Sequence, residues 1–80
     1  MKAPRVIERK LGRERALGQA CQALNEIEID PRQKPKEYLD TLLHEALHLL
    51  DPNAPEEVIR ELAGGLTRVL WDKGFRQVRL

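Results

Sequence analysis

The period of hydrophobic and polar positions changes near the middle of the chain. Residues 26–30 alternate between charged and apolar side chains, which is typical of a strand with one buried face. Residues 16–22 favour a partner strand; a helix there would also fit the apolar spacing, but Gly18 argues against it. Asn25 lies between the two segments and suits a tight turn, so a hairpin is predicted. Residues 6–11 are a candidate third strand of the same small antiparallel sheet.

Two helices are predicted after this sheet. Pro31 ends the last strand because it has no amide to donate to a neighbouring strand. Residues 35–51 have a helical pattern, with proline first and Glu37 near the positive end of the helix dipole. A proline-rich turn leads to a second helix over residues 55–73, which Gly74 can end in a left-handed conformation. Because this turn is short, the two helices are expected to be antiparallel neighbours.

The side chains of both predicted helices divide into faces at about 100° per residue. The apolar cluster of the first helix consists of Leu39, Leu42, Leu43, Ala46 and Leu50. The polar cluster on its opposite side consists of Glu37, Thr41, His44 and His48. The predicted buried stripe of the second helix consists of Val58, Ile59, Leu62, Leu66, Val69 and Leu70. Beyond that stripe, Trp71 and Phe75 are expected to close the far end of the core, before a short tail.

Length and composition limit these elements to one domain over residues 1–80. With 80 residues, 41% hydrophobic and 34% charged, the chain is too apolar for a disordered segment and lies near the lower size limit for independent folding. A metal or a partner often supplies the missing stability at this size. The single cysteine, Cys21, excludes an internal disulfide and favours a reduced, cytoplasmic compartment. We expect neither a signal peptide nor a membrane span.

The chemistry is concentrated in His44-Glu45-Ala46-Leu47-His48, an HExxH sequence inside the first predicted helix. Four residues are about one turn, so both imidazoles stand on one face of the helix. That spacing lets both histidines bind a single Zn²⁺ at about 2.0–2.1 Å. Glu45 lies about 100° further round the helix, where it can take a proton from a metal-bound water. The sequence therefore predicts a zinc site with Glu45 as catalytic base.

The sequence identifies two histidine ligands but leaves the identity of the third metal ligand open. A catalytic zinc normally has three protein ligands and one open position. The chain has no further histidine, so the third ligand is Cys21 or a carboxylate. At about 1.5 Å per residue, Glu57 and Glu61 lie nearly level with the two histidines. Helix orientation leaves the choice open, because Glu57 points away from the predicted buried stripe while Glu56 lies nearer its edge.

These motifs resemble those of gluzincin metallopeptidases. In thermolysin-like gluzincins a glutamate on a later helix completes the site, and an acidic residue four positions on supports a metal-bound histidine. Glu57 and Glu61 match that pair. The stretch from Ile27-Glu28-Ile29-Asp30-Pro31 through His48 to Trp71 also resembles small SprT-like and minigluzincin metallopeptidases of phages and bacteria. The resemblance covers about residues 16–76; the gap of eight residues between His48 and Glu57 is much shorter than in most gluzincins.

The resemblance implies a minimal zincin-like α+β core that hydrolyses peptide bonds. Its ligand set would be His44, His48 and Glu57 around Zn²⁺, with Glu45 as general base and then as proton donor to the leaving amine. A strand edge beside the helix would align an extended peptide or protein substrate through main-chain hydrogen bonds. The candidates for stabilising the oxyanion are Arg60, Arg76 and Arg79. A protease of this size is expected to be weak, latent or dependent on a partner.

Two other functions compete with the peptidase. The first is a metal-stabilised binding or regulatory module that keeps both histidines and cleaves nothing. The second is a nucleic-acid accessory protein that uses residues 1–15, where basic side chains outnumber acidic ones; a solvated edge strand is the favoured interpretation of that segment. Gly64-Gly65 inside the second helix indicates close approach of another backbone. Together with the apolar Leu47 and Leu49, it is compatible with a homodimer.

Overall fold

The computed structural model describes residues 2–12 and 16–79 of the chain. The elements are strands β1 (Arg5–Glu8), β2 (Gly18–Cys21) and β3 (Glu26–Ile29), followed by helices α1 (Pro35–Leu50) and α2 (Glu56–Asp72). The predicted α+β class, with a small sheet followed by two helices, is confirmed.

The three strands form one sheet in the order β1-β3-β2. β2 and β3 are the predicted antiparallel hairpin, and Asn25 in its turn has a left-handed φ of 50°. β1 corrects the prediction, because it pairs parallel to β3, with Val6 opposite Ile27. β2 already occupies one edge of β3, so β1 adds to the other edge. It is also shorter than predicted: Leu11 lies beyond the strand, where its side chain is fully buried.

The core lies between the inner face of the sheet and α1. Ile27 and Ile29 are both buried and alternate with half-buried glutamates along β3, as the sequence pattern predicts. Tyr38 completes this buried cluster, and Leu42, Ala46 and Leu49 of α1 pack against it. Tyr38 also donates a hydrogen bond of 2.6 Å to Glu8 of β1. This side of α1 therefore carries the contacts that attach the helix to the sheet.

Ion pairs cover the outer face of the sheet. Arg5 pairs with Glu26, and Arg9 pairs with Glu28. Gln19 on β2 donates a hydrogen bond of 2.7 Å to Glu28 as well. These acidic partners offset part of the basic N-terminal segment, which supports the interpretation of a solvated strand. Arg13 and Arg15 of that segment lie outside the described residues.

α2 packs against α1 alone among the described elements. Thr67 of α2 donates a hydrogen bond to Asp40 near the start of α1, while Glu56 at the start of α2 meets His48 near the end of α1. The helices are therefore antiparallel, as predicted. Gly74 follows α2 with a φ of 95°, the expected left-handed residue. Phe75 is 61% exposed and does not close the core, which corrects the prediction for it.

The buried face of α2 differs from the predicted one. Its buried residues are Ile59, Ala63 and Thr67. Four members of the predicted stripe are instead exposed: Val58, Leu62, Leu66 and Val69. The hydrophobic pattern alone misplaced the buried face because it counted every apolar residue, whereas α1 covers only one side of the helix. Among the described residues, no helix is long and apolar enough to cross a membrane.

Asp30 holds the chain at the junction of the sheet and the helices. It is buried, and its carboxylate accepts hydrogen bonds from the backbone amides of Leu11 and Arg32, each at 3.0 Å. The Arg32 guanidinium donates two more, at 2.9 and 2.6 Å. This guanidinium, together with the two amides, holds the pKa of Asp30 well below its usual range. Asp30 thus fixes the buried position of Leu11 after β1.

We predict that Asp30→Asn lowers the melting temperature most strongly near neutral pH. The stabilisation by a carboxylate with a depressed folded pKa is complete above about pH 4, the ordinary value for Asp, and is lost as the pH falls further toward the folded pKa. The difference in melting temperature between the wild type and the variant should therefore be constant from about pH 5 to 7 and shrink below about pH 4. Thermal unfolding followed by circular dichroism across this range checks it; a difference that does not depend on pH would contradict the role of the ionised carboxylate.

Candidate metal centre

The two histidines of the HExxH sequence lie on one face of α1, one turn apart. α1 begins with Pro35, whose fixed φ suits the first helical position, and it continues without interruption through His48. The imidazole rings of His44 and His48 have centroids 4.9 Å apart. Their side chains are 23% and 31% exposed, so both rings are partly covered and still reachable from solvent.

Glu56 meets both histidines from the first residue of α2. Its Oε1 lies 2.7 Å from Nε2 of His44, and its Oε2 lies 2.8 Å from Nε2 of His48. The helix begins directly after Pro55, whose carbonyl accepts hydrogen bonds from the amides of Val58 and Ile59. This tight start places Glu56 on the side of α2 that faces α1, in line with the buried Ala63 two turns further on. The short proline-rich turn therefore delivers a carboxylate directly to the histidine pair.

The donor set fits a zinc ion. One candidate ligand atom from each of His44, His48 and Glu56 lies within 4.8 Å of the others. Two imidazole nitrogens and one carboxylate oxygen are a known ligand set of catalytic zinc, which leaves a fourth position open. Ligand atoms about 2.0–2.1 Å from a tetrahedral ion are about 3.3 Å from each other. Glu56 is about half exposed, so its side chain can make the small movement that this spacing requires.

Glu57, the ligand implied by the resemblance to gluzincins, is not brought to the histidines. It is exposed, and the metal-ligating group contains Glu56 in its place. The physical reason is the rotation of α2: neighbouring residues on a helix differ by about 100°, and the burial of Ile59 and Ala63 turns Glu56 toward α1. Glu61 is exposed as well.

Cys21, the other alternative for the third ligand, is exposed and lies outside this group. The carboxylate alternative that the sequence left open is therefore the one that the structure favours.

Glu45 lies half-buried between α1 and β2. A Cβ atom added to Gly18 of β2 would lie 3.2 Å from Cγ of Glu45 and 2.7 Å from Cγ2 of Thr41, so only glycine allows this close approach. Burial raises the pKa of Glu45, while the nearby histidines His44 and His48 lower it and Glu56 raises it. A carboxylate with partial access to solvent and a raised pKa has the properties of a general base. Sequence reasoning identified Glu45 but not the role of Gly18, because the contact joins distant parts of the chain.

Gln33 ties the elements around Glu45 together. Its side-chain amide donates to the carbonyls of Leu17 and Asp30, at 3.2 and 2.9 Å, and its Oε1 accepts a hydrogen bond of 2.7 Å from Thr41. It therefore connects the beginning of β2, the end of β3 and α1. No sequence motif marks this residue.

Among the described strands, β2 has one unpaired edge, and this edge lies beside the site. The sheet order makes β2 an outer strand, and the amide of Asp30 donates to the carbonyl of Leu17. Because hydrogen-bonded and non-bonded pairs alternate along antiparallel strands, Gly18 and Ala20 direct their backbone groups away from β3. The outer edge of β2 can therefore accept another extended chain next to Glu45.

Of the three arginines considered for the oxyanion, only Arg60 lies near the site. Its Nη2 is 3.9 Å from Oε1 of Glu56. Arg76 instead stacks on Trp71, and Arg79 pairs with Glu8. A groove of about 460 Å³ lined by residues such as Trp71 lies elsewhere and contains none of the metal-site residues.

We predict that Glu56→Gln lowers zinc affinity at least tenfold and that the matched variant Glu57→Gln leaves it unchanged. The amide cannot supply an anionic ligand, and loss of even an outer partner of a metal site costs about 10–100-fold. His44→Ala and His48→Ala should each abolish binding of one equivalent of zinc and lower the melting temperature. Elemental analysis and competition with a chelating dye provide the measurements. A loss of zinc in Glu57→Gln but not in Glu56→Gln would restore the gluzincin ligand pattern and contradict the assignment of Glu56.

Comparisons with models of protein families, with curated proteins and with solved structures found no match for this chain. The resemblance to gluzincin and SprT-like peptidases therefore stays a prediction that rests on the HExxH sequence and its surroundings.

Proposed function

We propose that this chain is a zinc-dependent metallopeptidase of the HExxH type, a hydrolase in which Glu56 takes the place expected of Glu57. The observation that carries the proposal is the convergence of His44, His48 and Glu56 beside the half-buried Glu45. Zinc bound there would polarise both a water molecule and the carbonyl of the scissile bond. The remaining requirements of peptide hydrolysis fall to groups of the protein itself.

Glu45 is the proposed general base. It takes a proton from the attacking water and later delivers it to the leaving amine. Its position under β2 keeps the carboxylate in place, because Gly18 and Thr41 pack around its side chain. The same packing limits the water around Glu45, which matches the raised pKa of this group.

The outer edge of β2 is the proposed binding surface for the substrate. An extended peptide can add to this edge through the free backbone groups of Gly18 and Ala20. It would then run past Glu45, where Gly18 meets α1. Main-chain recognition requires little surface, which suits a chain of 80 residues. Arg60 supplies a positive charge 3.9 Å from Glu56 and is the proposed partner of the developing oxyanion.

The binding module that cleaves nothing is the second candidate function, and the small size of the buried core favours it. Six hydrophobic residues make up the buried core of the described chain, so a metal link between α1 and α2 would add needed stability. The same zinc site serves both candidates. Hydrolysis alone separates them.

We predict that zinc-loaded wild-type protein cleaves unstructured peptides and that Glu45→Gln lowers kcat about 10²–10⁴-fold while zinc content stays at one equivalent. The amide cannot accept the proton of the attacking water. Mass spectrometry of a diverse peptide mixture, with Glu45→Gln as the control for contaminating proteases, provides the measurement. If the zinc-loaded wild type cleaves no more than Glu45→Gln does, the peptidase is wrong and the binding module takes its place.

We predict that Gly18→Ala lowers kcat/KM by about 10–100-fold with zinc still bound, since small displacements of reacting groups cost this much. The added Cβ forces β2 away from Thr41 and Glu45. Gly64→Ala is the matched control: nothing lies within 4 Å of its added Cβ, and the exchange should stabilise α2 by about 1 kcal/mol without changing activity. An active Gly18→Ala would show that the contact between β2 and Glu45 is dispensable.

A further inference from the structure

α2 has an apolar stripe that the rest of the described chain leaves uncovered. Val58, Leu62, Leu66 and Val69 are between 39% and 65% exposed. They lie about 200–280° round the helix from Glu56, on the side away from α1. α1 is the only described helix or strand that α2 contacts, so no other described helix or strand shields this stripe.

Gly65 adjoins the stripe near the middle of its length, at about 180° round the helix from Glu56. A Cβ atom added there would meet nothing within 4 Å, so close approach inside this chain does not explain the glycine. Glycine in a helix costs about 1 kcal/mol relative to alanine. Val58, Leu62, Gly65 and Val69 have spacings of four, three and four residues, the period of a two-helix seam.

We propose that this stripe is a homodimer interface in which α2 pairs with α2 of a second copy, antiparallel about a two-fold axis. We place the two-fold axis between the two helices, level with the midpoint between Leu62 and Gly65. Leu62 of one copy then packs against Gly65 of the second copy. The same axis also sets Val58 against Val69 of the second copy. Each Leu62 side chain thereby fills the space left by Gly65 of the other copy, and each Val58 packs against an apolar partner, Val69. Each contact occurs twice because such interfaces are isologous. Leu66 extends the apolar surface along one side.

Two charged residues beside the stripe favour a second copy of this chain as the partner, in the antiparallel orientation. Glu61 and Arg68 both flank the seam on the side opposite to Leu66, seven residues apart. In the antiparallel arrangement Glu61 of each copy lies beside Arg68 of the other, which gives two ion pairs. In a parallel pair Glu61 would instead face the side of the seam that carries Leu66. Both charged side chains are exposed, and the described structure pairs neither of them within the chain.

The interface leaves the metal centre open. Glu56 and the buried residues of α2 lie on the opposite side of the helix from Gly65, so dimerisation and zinc binding use different faces. The antiparallel arrangement directs the two metal centres to opposite ends of the helix pair. The dimer is therefore independent of the proposed peptidase, and either proposal can fail alone.

The test is a charge exchange measured by sedimentation equilibrium on the full chain, over protein concentrations from about 1 µM to 1 mM. We expect a monomer–dimer equilibrium for the wild type. Glu61→Arg and Arg68→Glu should each raise the dimer Kd about tenfold, because two attractive pairs become repulsive. The double variant restores both pairs and should return the Kd to within about threefold of the wild-type value.

Two controls complete the test. Lys2→Glu makes the same charge reversal as Arg68→Glu beside the β2–β3 turn, on a part of the sheet that α2 does not contact, and should leave the Kd unchanged. Leu62→Glu places a charge in the seam and should raise the Kd by about a hundredfold or more, with unchanged helix content by circular dichroism. A wild type that stays monomeric at about 1 mM would overturn the proposal and assign the stripe to a different partner. A dimer with equal Kd values for the single and double charge variants would overturn this interface.

Discussion

The rotation of α2 about its own axis determines both which side chain completes the candidate metal centre and which surface of the helix is exposed. Ile59, Ala63 and Thr67 are buried against α1, and α1 is the only described element that α2 contacts. Their burial fixes which residue at the start of α2 faces the histidines. A rotation of about 100°, one residue on a helix, would replace Glu56 with Glu57. Packing in the middle of the helix pair thus selects the ligand at its end.

α1 in turn depends on the sheet for its position. Tyr38, Leu42, Ala46 and Leu49 attach one side of α1 to Ile27 and Ile29, which leaves the opposite side with His44 and His48 free for chemistry. Asp30 and Gln33 hold the chain where β3 passes into α1. Asp30 binds the amide of Leu11, after β1 has ended, and Gln33 binds the carbonyl of Leu17, just before β2 begins. A chain of this size has little apolar area to bury, so polar contacts at the junction carry more of the fold than in a larger domain. The link between His44, His48 and Glu56 is a further such contact, and it joins the two helices directly.

Local patterns in the sequence predicted the parts of the structure that depend on local physics. Alternation identified β3, the prolines marked the start of each helix, and Gly74 marked the end of α2. The spacing of His44 and His48 placed both on one face of α1, since four residues make about one turn of any helix. The parallel pairing of β1 was not predictable in this way, because it depends on which edge of β3 the hairpin leaves open. The close approach of Gly18 to Glu45 likewise joins residues 27 positions apart and leaves no mark in either local pattern.

The error in the predicted buried face of α2 has a physical explanation. An apolar stripe predicts burial only if the chain can provide a surface to cover it, and the face of a helix that packs against one neighbour is about 100° wide. α2 has apolar residues over more of its circumference than that, so part of the pattern must stay exposed in a single copy. The apolar pattern of α2 therefore combines two surfaces, one packed against α1 and one left exposed. The tertiary contacts are needed to assign each apolar residue to one of them. Glu56 points toward one of these surfaces and Gly65 toward the other, which is why one helix can complete a metal site while presenting a separate apolar face.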